Sequence, residues 1–135
     1  MAEKFLLDIV TPSGAALSKE VEEVTAPGVE GEFGVLKGHT NFLTILKPGV
    51  VSYKADGAVV RFAIAKGFAE VTSDRANILV DAAFLAQSIN APEVKDEIKD
   101  VEEAMKGLKE DDPEYGKLSD KRALLLAKLE AVEGR

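Results

Sequence analysis

Few side chains in this sequence have the types and spacing that chemistry requires. Gly28, Gly31 and Gly34 recur at intervals of three and lead into Lys37-Gly38-His39-Thr40. A phosphate-cradling loop needs GxxxxGK[ST], with lysine directly after the last glycine. Here Lys37 precedes Gly38 and His39 follows it, and the dinucleotide fingerprint GxGxxG fails too. The glycines read instead as positive-φ turn positions beside a strand. His39 is the only histidine and cysteine is absent, so a zinc site would have to borrow carboxylates. No nucleophile-elbow sequence surrounds a serine. His39 therefore reads as a surface or protein-contact residue. Glu30 and Glu32 flank Gly31, and paired carboxylates do acid–base work only when burial separates their pKa values. On a glycine-rich loop they read as solvated charges, or, for Glu32, as a contact to a basic partner. Farther on, Lys117, Lys121, Arg122 and Lys128 are opposed only by Asp120, so residues 117–128 carry 4 − 1 = +3. That cluster reads as a solvated helix face or as a surface for an acidic protein partner. No catalytic residue, metal site, cofactor or nucleotide loop is assigned.

Two kinds of sequence must position these residues. Residues 1–86 hold 8 basic and 11 acidic side chains, whereas residues 87–135 hold 9 and 13 in little more than half the length. Eight of the 11 glycines precede residue 87. In the first part, Phe5, Leu7 and Ile9 share one face at the two-residue period of a strand. Thr11-Pro12-Ser13-Gly14 is a turn cluster, and Asp56-Gly57 is a hairpin signal because both residues tolerate positive φ. Short apolar runs follow at 21–26, 33–36, 42–46, 50–53, 59–65, 68–72 and 78–82. Such a pattern predicts an antiparallel sandwich or barrel. In the second part, Val94, Ile98, Val101, Met105 and Leu108 are spaced 4, 3, 4, 3 along one helix face. Asn90 with Glu93 resembles an N-cap and its capping partner, and Asp112-Pro113 opens a second helix. That helix carries Leu118, Leu125, Leu129 and Val132 on one side, widened by Leu124 and Leu126. The two helices predict an antiparallel hairpin, so the chain divides into a β unit at 1–86 and a helical unit at 87–135.

Bulk properties exclude several functions. Of 135 residues, 17 are basic and 24 acidic, a net charge of −7 that disfavours phosphate-neutralising nucleic-acid binding. No uncharged run approaches the ~20 residues of a membrane span, and MAEKFLLDIV lacks a signal peptide's apolar stretch. Without cysteine, the expectation is a soluble protein of a reducing compartment. The hairpin buries little: about five apolar residues at roughly 1.5–3 kcal/mol each fall short of its backbone ordering cost. It should need a docking surface and exchange between placements.

Several stretches then point to one family. Val29-Glu30-Gly31-Glu32-Phe33-Gly34-Val35-Leu36-Lys37-Gly38-His39 resembles the EGExGIxxGH loop of the F-type ATP synthase epsilon subunit, bacterial and chloroplast type. Leu43-Thr44-Ile45-Leu46-Lys47-Pro48-Gly49 is similar to the LTxLKPG that follows it, and 62–71 to its FxVxGGFxEV signature. LDIVTPSG near the start also fits. The resemblance covers the whole chain and implies a β-sandwich of about ten strands followed by a two-helix antiparallel hairpin. It implies a non-catalytic rotor subunit in the central stalk, on the cytoplasmic face of the bacterial inner membrane. The sandwich would grip the gamma subunit and rest on the membrane c-ring, with Glu32 and His39 at those contacts. The hairpin, when extended, would reach the alpha and beta subunits and impede ATP hydrolysis. Lys117, Lys121, Arg122 and Lys128 then fall where the family meets an acidic segment of beta. There are departures, of which the second is the more consequential. Lys66 replaces the first glycine of the signature, and Ile89–Val94 carries Asn90 and Glu93 where ATP-binding members have Asp and Arg, in [IL]DxxRA. The second implies weak or absent nucleotide binding. The competing reading is a stand-alone β-sandwich that binds or hydrolyses a ligand through Glu30, Glu32 and His39.

Overall fold

The computed structural model describes residues 3–134. Its first ten elements are strands, several of them alternating inward apolar with outward side chains: β1 (Phe5–Thr11), β2 (Gly14–Val21), β3 (Glu23–Gly28), β4 (Gly31–Val35), β5 (Phe42–Leu46), β6 (Gly49–Ala55), β7 (Ala58–Ile64), β8 (Gly67–Val71), β9 (Arg75–Val80) and β10 (Ala83–Leu85). A 3-10 turn (Ala86–Ser88) leads into α1 (Ala91–Lys106) and α2 (Pro113–Glu133).

The strands pair in the order β10-β7-β6-β3-β5-β8-β9-β1-β2, with β4 hydrogen-bonded to β3 off that path. Between β3 and β5 the ladder narrows to one pair, Gly28 opposite Leu46, so the sheet folds into two layers there. Phe5, Leu7, Ile9, Val24, Val51, Ile64, Val71 and Ile78 fill the space between the layers. The β6–β7 reversal is a two-residue turn in which Asp56 (φ 52°) and Gly57 (φ 81°) both adopt positive φ. One ladder departs from the antiparallel expectation: β1 runs parallel to β9, Leu6 opposite Arg75 through Val10 opposite Leu79. Parallel pairing needs a long crossover, and the strands between Thr11 and Arg75 provide it. Asp8, on the outward side of β1, closes this junction. Its Oδ2 accepts hydrogen bonds from Arg75 Nε (3.0 Å) and Nη2 (2.6 Å).

Both helices begin as their sequences dictate. Asn90 Oδ1 accepts from Glu93 N–H (3.1 Å), Asp112 Oδ1 accepts from Glu114 N–H (2.9 Å), and each helix has proline in its first turn. Val94, Ile98 and Val101 pack with Leu125, flanked by Met105, Leu118 and Leu129. Leu108 and Val132 differ from the expected stripe. α1 ends at Lys106, so Leu108 belongs to the connection; Val132 stays 40% exposed beside Val59 and Arg61. The reason lies in the second face of α2: Ala127 and Ala131 turn toward the sandwich and pack on Val50 and Ala63. α2 thus serves two surfaces, and its inward positions are divided between them.

Candidate functional site

Three surfaces hold the residues singled out by the sequence. The first is the loop region around β4. Glu32 lies near the start of β4, exposed, and His39 lies in the turn after its end, where His39 N–H donates to Leu36 carbonyl (3.2 Å). Glu32 is three strand steps from the end of β4, roughly 10 Å at about 3.3 Å each, and His39 lies four residues beyond that end. The structure does not bring Glu30, Glu32 and His39 into one enclosed pocket; Glu30 and Glu32 sit exposed around Gly31. The His39 imidazole meets the Phe42 ring edge-on (5.3 Å, 72°), and Phe42 meets Phe33 likewise (5.3 Å, 81°). His39 is thus held by a row of rings rather than by a carboxylate.

The expected role of the loop glycines needs correction. Of Gly28, Gly31 and Gly34, only Gly31 has positive φ (134°). Gly28 is required by space instead: a Cβ there would lie 2.8 Å from the Gly31 carbonyl oxygen and 3.1 Å from the Phe33 ring. Nothing in the structure explains Gly34. Lys66 adopts no positive φ, so the signature's first glycine is dispensable here, whereas a Cβ on Gly67 would overlap the Leu79 carbonyl oxygen.

The second surface was not singled out by sequence. On the outward face of β5 and β8, Leu43 (68%), Ile45 (63%) and Phe68 (45%) are exposed next to Val29 (51%). Beside them runs a groove of about 520 Å³ lined by Val10, Pro12, Ile45, Phe68 and Leu79, with Lys66 and Asp81 at its rim. The signal was present in Phe-Leu-Thr-Ile-Leu, where β5 offers apolar residues on both faces. Large apolar side chains grouped on one outward sheet face mark an interaction surface.

The third surface is the hairpin against the sandwich. Beyond the alanine seam, Lys66 Nζ reaches Asp120 Oδ2 (3.6 Å), and Lys128 Nζ sits 3.9 Å above the Phe84 ring. Arg122 Nε donates to Glu102 Oε2 of α1 (2.8 Å). The four basic residues therefore do not form one face. At about 100° per residue, Lys117, Lys121 and Lys128 fall within about 40° of one another and Arg122 about 140° from Lys117. Lys117 and Lys121 border a cleft with Lys66, Asp81 and Asp120. At the start of α1, a recess holds Phe84, Ser88, Asn90, Glu93, Glu97 and Lys128. Its Asn90 side chain is already used as the helix cap, and its two carboxylates oppose an anion. Among the described residues no cluster of three metal-ligating side chains occurs, and no helix is long and apolar enough to cross a membrane.

Residues 4–86 match the family described as ATP synthase, Delta/Epsilon chain, beta-sandwich domain. A relative from Geotalea daltonii, an ATP synthase epsilon chain, is 40% identical over 137 residues, covering 100% of this chain and 99% of its own. The chain belongs to the ATP synthase epsilon-chain family. The epsilon chain of Geobacter sulfurreducens is 44% identical over 115 residues, 85% of this chain and 83% of that one. Among solved structures, a chain of the Euglena gracilis mitochondrial ATP synthase OSCP/F1/c-ring assembly superposes with a TM-score of 0.72 at 22% identity, covering 96% of this chain and 78% of that one. A chain of the Tetrahymena thermophila mitochondrial central stalk and c-ring gives 0.62 at 14% identity, covering 97% and 98%. These two carry the epsilon-chain fold of sandwich plus helices, at identities that speak to fold alone.

Proposed function

We propose that this chain is a non-catalytic rotor subunit of a proton-translocating ATP synthase, peripheral on the cytoplasmic face of a bacterial inner membrane. Residues 1–86 act as the fixed grip between the gamma subunit and the c-ring, and residues 87–135 as a movable inhibitory arm. The observation that carries this reading is the uncovered apolar face of Leu43, Ile45 and Phe68. Large exposed side chains of this kind on one sheet face mark a protein interface, and the gamma subunit is the occupant the family provides. Glu32, near the start of β4, and His39, in the loop beyond its end, are assigned to the c-ring and gamma contacts, with Glu30 the loop residue that lines the apolar face. Glu32 supplies a carboxylate for basic ring loops. The arm's weak hold on the sandwich supports its mobility: small side chains and half-exposed charges leave it separable. Once extended, it offers its basic residues to an acidic stretch of the beta subunit.

A chain ending at Ala86 tests both halves at once. It should still copurify with gamma, while the assembled complex hydrolyses ATP faster than with the full chain. Loss of gamma binding by Phe68→Asp, with the fold retained, is the matching outcome for the grip. Unchanged hydrolysis on truncation would remove the inhibitory role and leave the structural one.

A further inference from the structure

Arg122 is the one member of the basic quartet that turns away from the sandwich and toward α1. Its Nε donates to Glu102 Oε2 at 2.8 Å across the two helices, with both side chains a little over two-fifths exposed (41% and 43%). Around it α1 and α2 pack through apolar residues: Val94, Ile98, Val101 and Leu125, with Met105, Leu118 and Leu129 at the margins. The neighbouring carboxylate Glu103 points elsewhere; it is 77% exposed and pairs with Lys106 on its own helix.

We propose that Glu102 is a built-in competitor for Arg122, an intramolecular carboxylate that clasps α1 to α2 and that an acidic protein segment must displace to use this arginine. The proposal rests on the reading of the hairpin as an inhibitory arm and specifies how one of its contacts is gated. A guanidinium presents a rigid fork of donors, and a carboxylate supplied by its own chain competes at high effective concentration. An acidic partner reaching Arg122 therefore meets an occupied site, and exchange of one carboxylate for another couples partner binding to parting of the helices. Once parted, α1 is a 16-residue helix without its apolar cover, and a helix in a protein draws most of its stability from that packing. Displacing Glu102 thus loosens α1 itself.

The test uses the full chain and two readouts. Native-state hydrogen exchange at the amides of Val94, Ile98, Val101 and Leu125 reports parting of the helices. Glu102→Gln should accelerate it roughly two- to fivefold, the range of a partly exposed ion pair. Glu103→Gln, which removes the same charge one residue away, should leave it unchanged, and Glu102→Gln should add nothing in an Arg122→Gln background. The second readout is affinity for a 12-residue peptide of alternating Asp and Glu, which should tighten by a similar factor in Glu102→Gln alone. Equal effects of the two glutamate substitutions, or an effect that survives in the Arg122→Gln background, would reduce Glu102 to bulk charge and overturn the proposal. If exchange responds as expected but no variant binds the peptide, the clasp stands and the acidic-partner reading of the arm falls.

Discussion

The alanine seam under α2 decides where the arm rests, and Ala127→Leu probes it. Ala127 is 3% exposed and packs with Val50, Ala63 and Ala131. At about 0.8 kcal/mol per buried carbon, these four side chains supply on the order of 5 kcal/mol of gross burial to docking. The polar fasteners add less, because exposed ion pairs contribute about 0–1 kcal/mol each. Leucine at 127 forces three extra carbons into a seam without space for them, at a cost of about 1–3 kcal/mol. Helix propensity is nearly unchanged by the swap, so the penalty falls on docking. The docked-to-undocked ratio should drop roughly fivefold to 150-fold. Hydrogen exchange should show α2 and the outward face of β6 and β7 losing protection by that factor, while the amides of Leu7 and Ile78 in the sandwich core keep theirs. Ala104→Leu, on the exposed side of α1, serves as the control and should change nothing beyond about 0.5 kcal/mol. Uniform loss of protection through both parts would show that arm and sandwich unfold as one unit. Unaltered α2 protection would show that the seam does not hold the arm. Either result refutes the reasoning.

Three further outcomes follow from single contacts. Hydrogen bonding from Ser18, and then the bonds and charge of Arg75, hold the Asp8 carboxyl below its ordinary value against a burial effect of opposite sign. Its stabilisation is therefore complete above the unfolded carboxyl pKa and is lost as pH falls through the lower folded value; Asp8→Asn should lower the melting temperature at pH 7 and flatten its decline in acid. Gly67→Ala should destabilise by about 3 kcal/mol or more in a denaturant melt, since the new Cβ would also come within 2.7 Å of the Val80 Cα, whereas Lys66→Gly should unfold within about 1 kcal/mol of the parent. ATP at millimolar concentration should not raise the melting temperature, because Glu93 and Glu97 line the recess at the start of α1; micromolar affinity by calorimetry would contradict this.

Much of the fold was legible because local chemistry and tertiary structure agree. β5 coincides with the apolar run 42–46, Asp56-Gly57 forms the turn its backbone freedom suggests, and Asn90 and Asp112 cap the helices. β2 was illegible because most of its side chains face solvent, so no alternation marks it. β10 has only three residues, too few for a period. Parallel pairing of β1 with β9 depends on a partner nearly 70 positions away, which no local pattern encodes. The basic quartet was legible as composition but not as geometry. Its division between the sandwich side and the α1 side follows from α2 facing two surfaces at once, a tertiary fact. The alanines of the docking seam were hidden for a related reason: a small residue that lets a helix lie close to a sheet looks, in sequence, like an ordinary helix former.

The sandwich has two outward apolar faces, and their compositions assign them different lifetimes. One, on β6 and β7, offers Val50 and Ala63 and is covered by the chain's own α2 through two more alanines. The other, on β5 and β8, offers Leu43, Ile45 and Phe68, each worth about 1.5–3 kcal/mol on full burial. Buried by a partner, the second face gains about as much from two of its side chains as the first gains from all four of its own. A contact that must be permanent through every rotation belongs on the stronger face, and a contact that must open and close belongs on the weaker one. On the proposed reading, gamma takes the first role and the arm the second, so a substitution that strengthens the seam should weaken inhibition without touching assembly. Ala63→Ser, which places a hydroxyl without a partner under α2, works in the opposite direction. It should shift the arm toward its extended placement and deepen inhibition of ATP hydrolysis, while copurification with gamma stays complete.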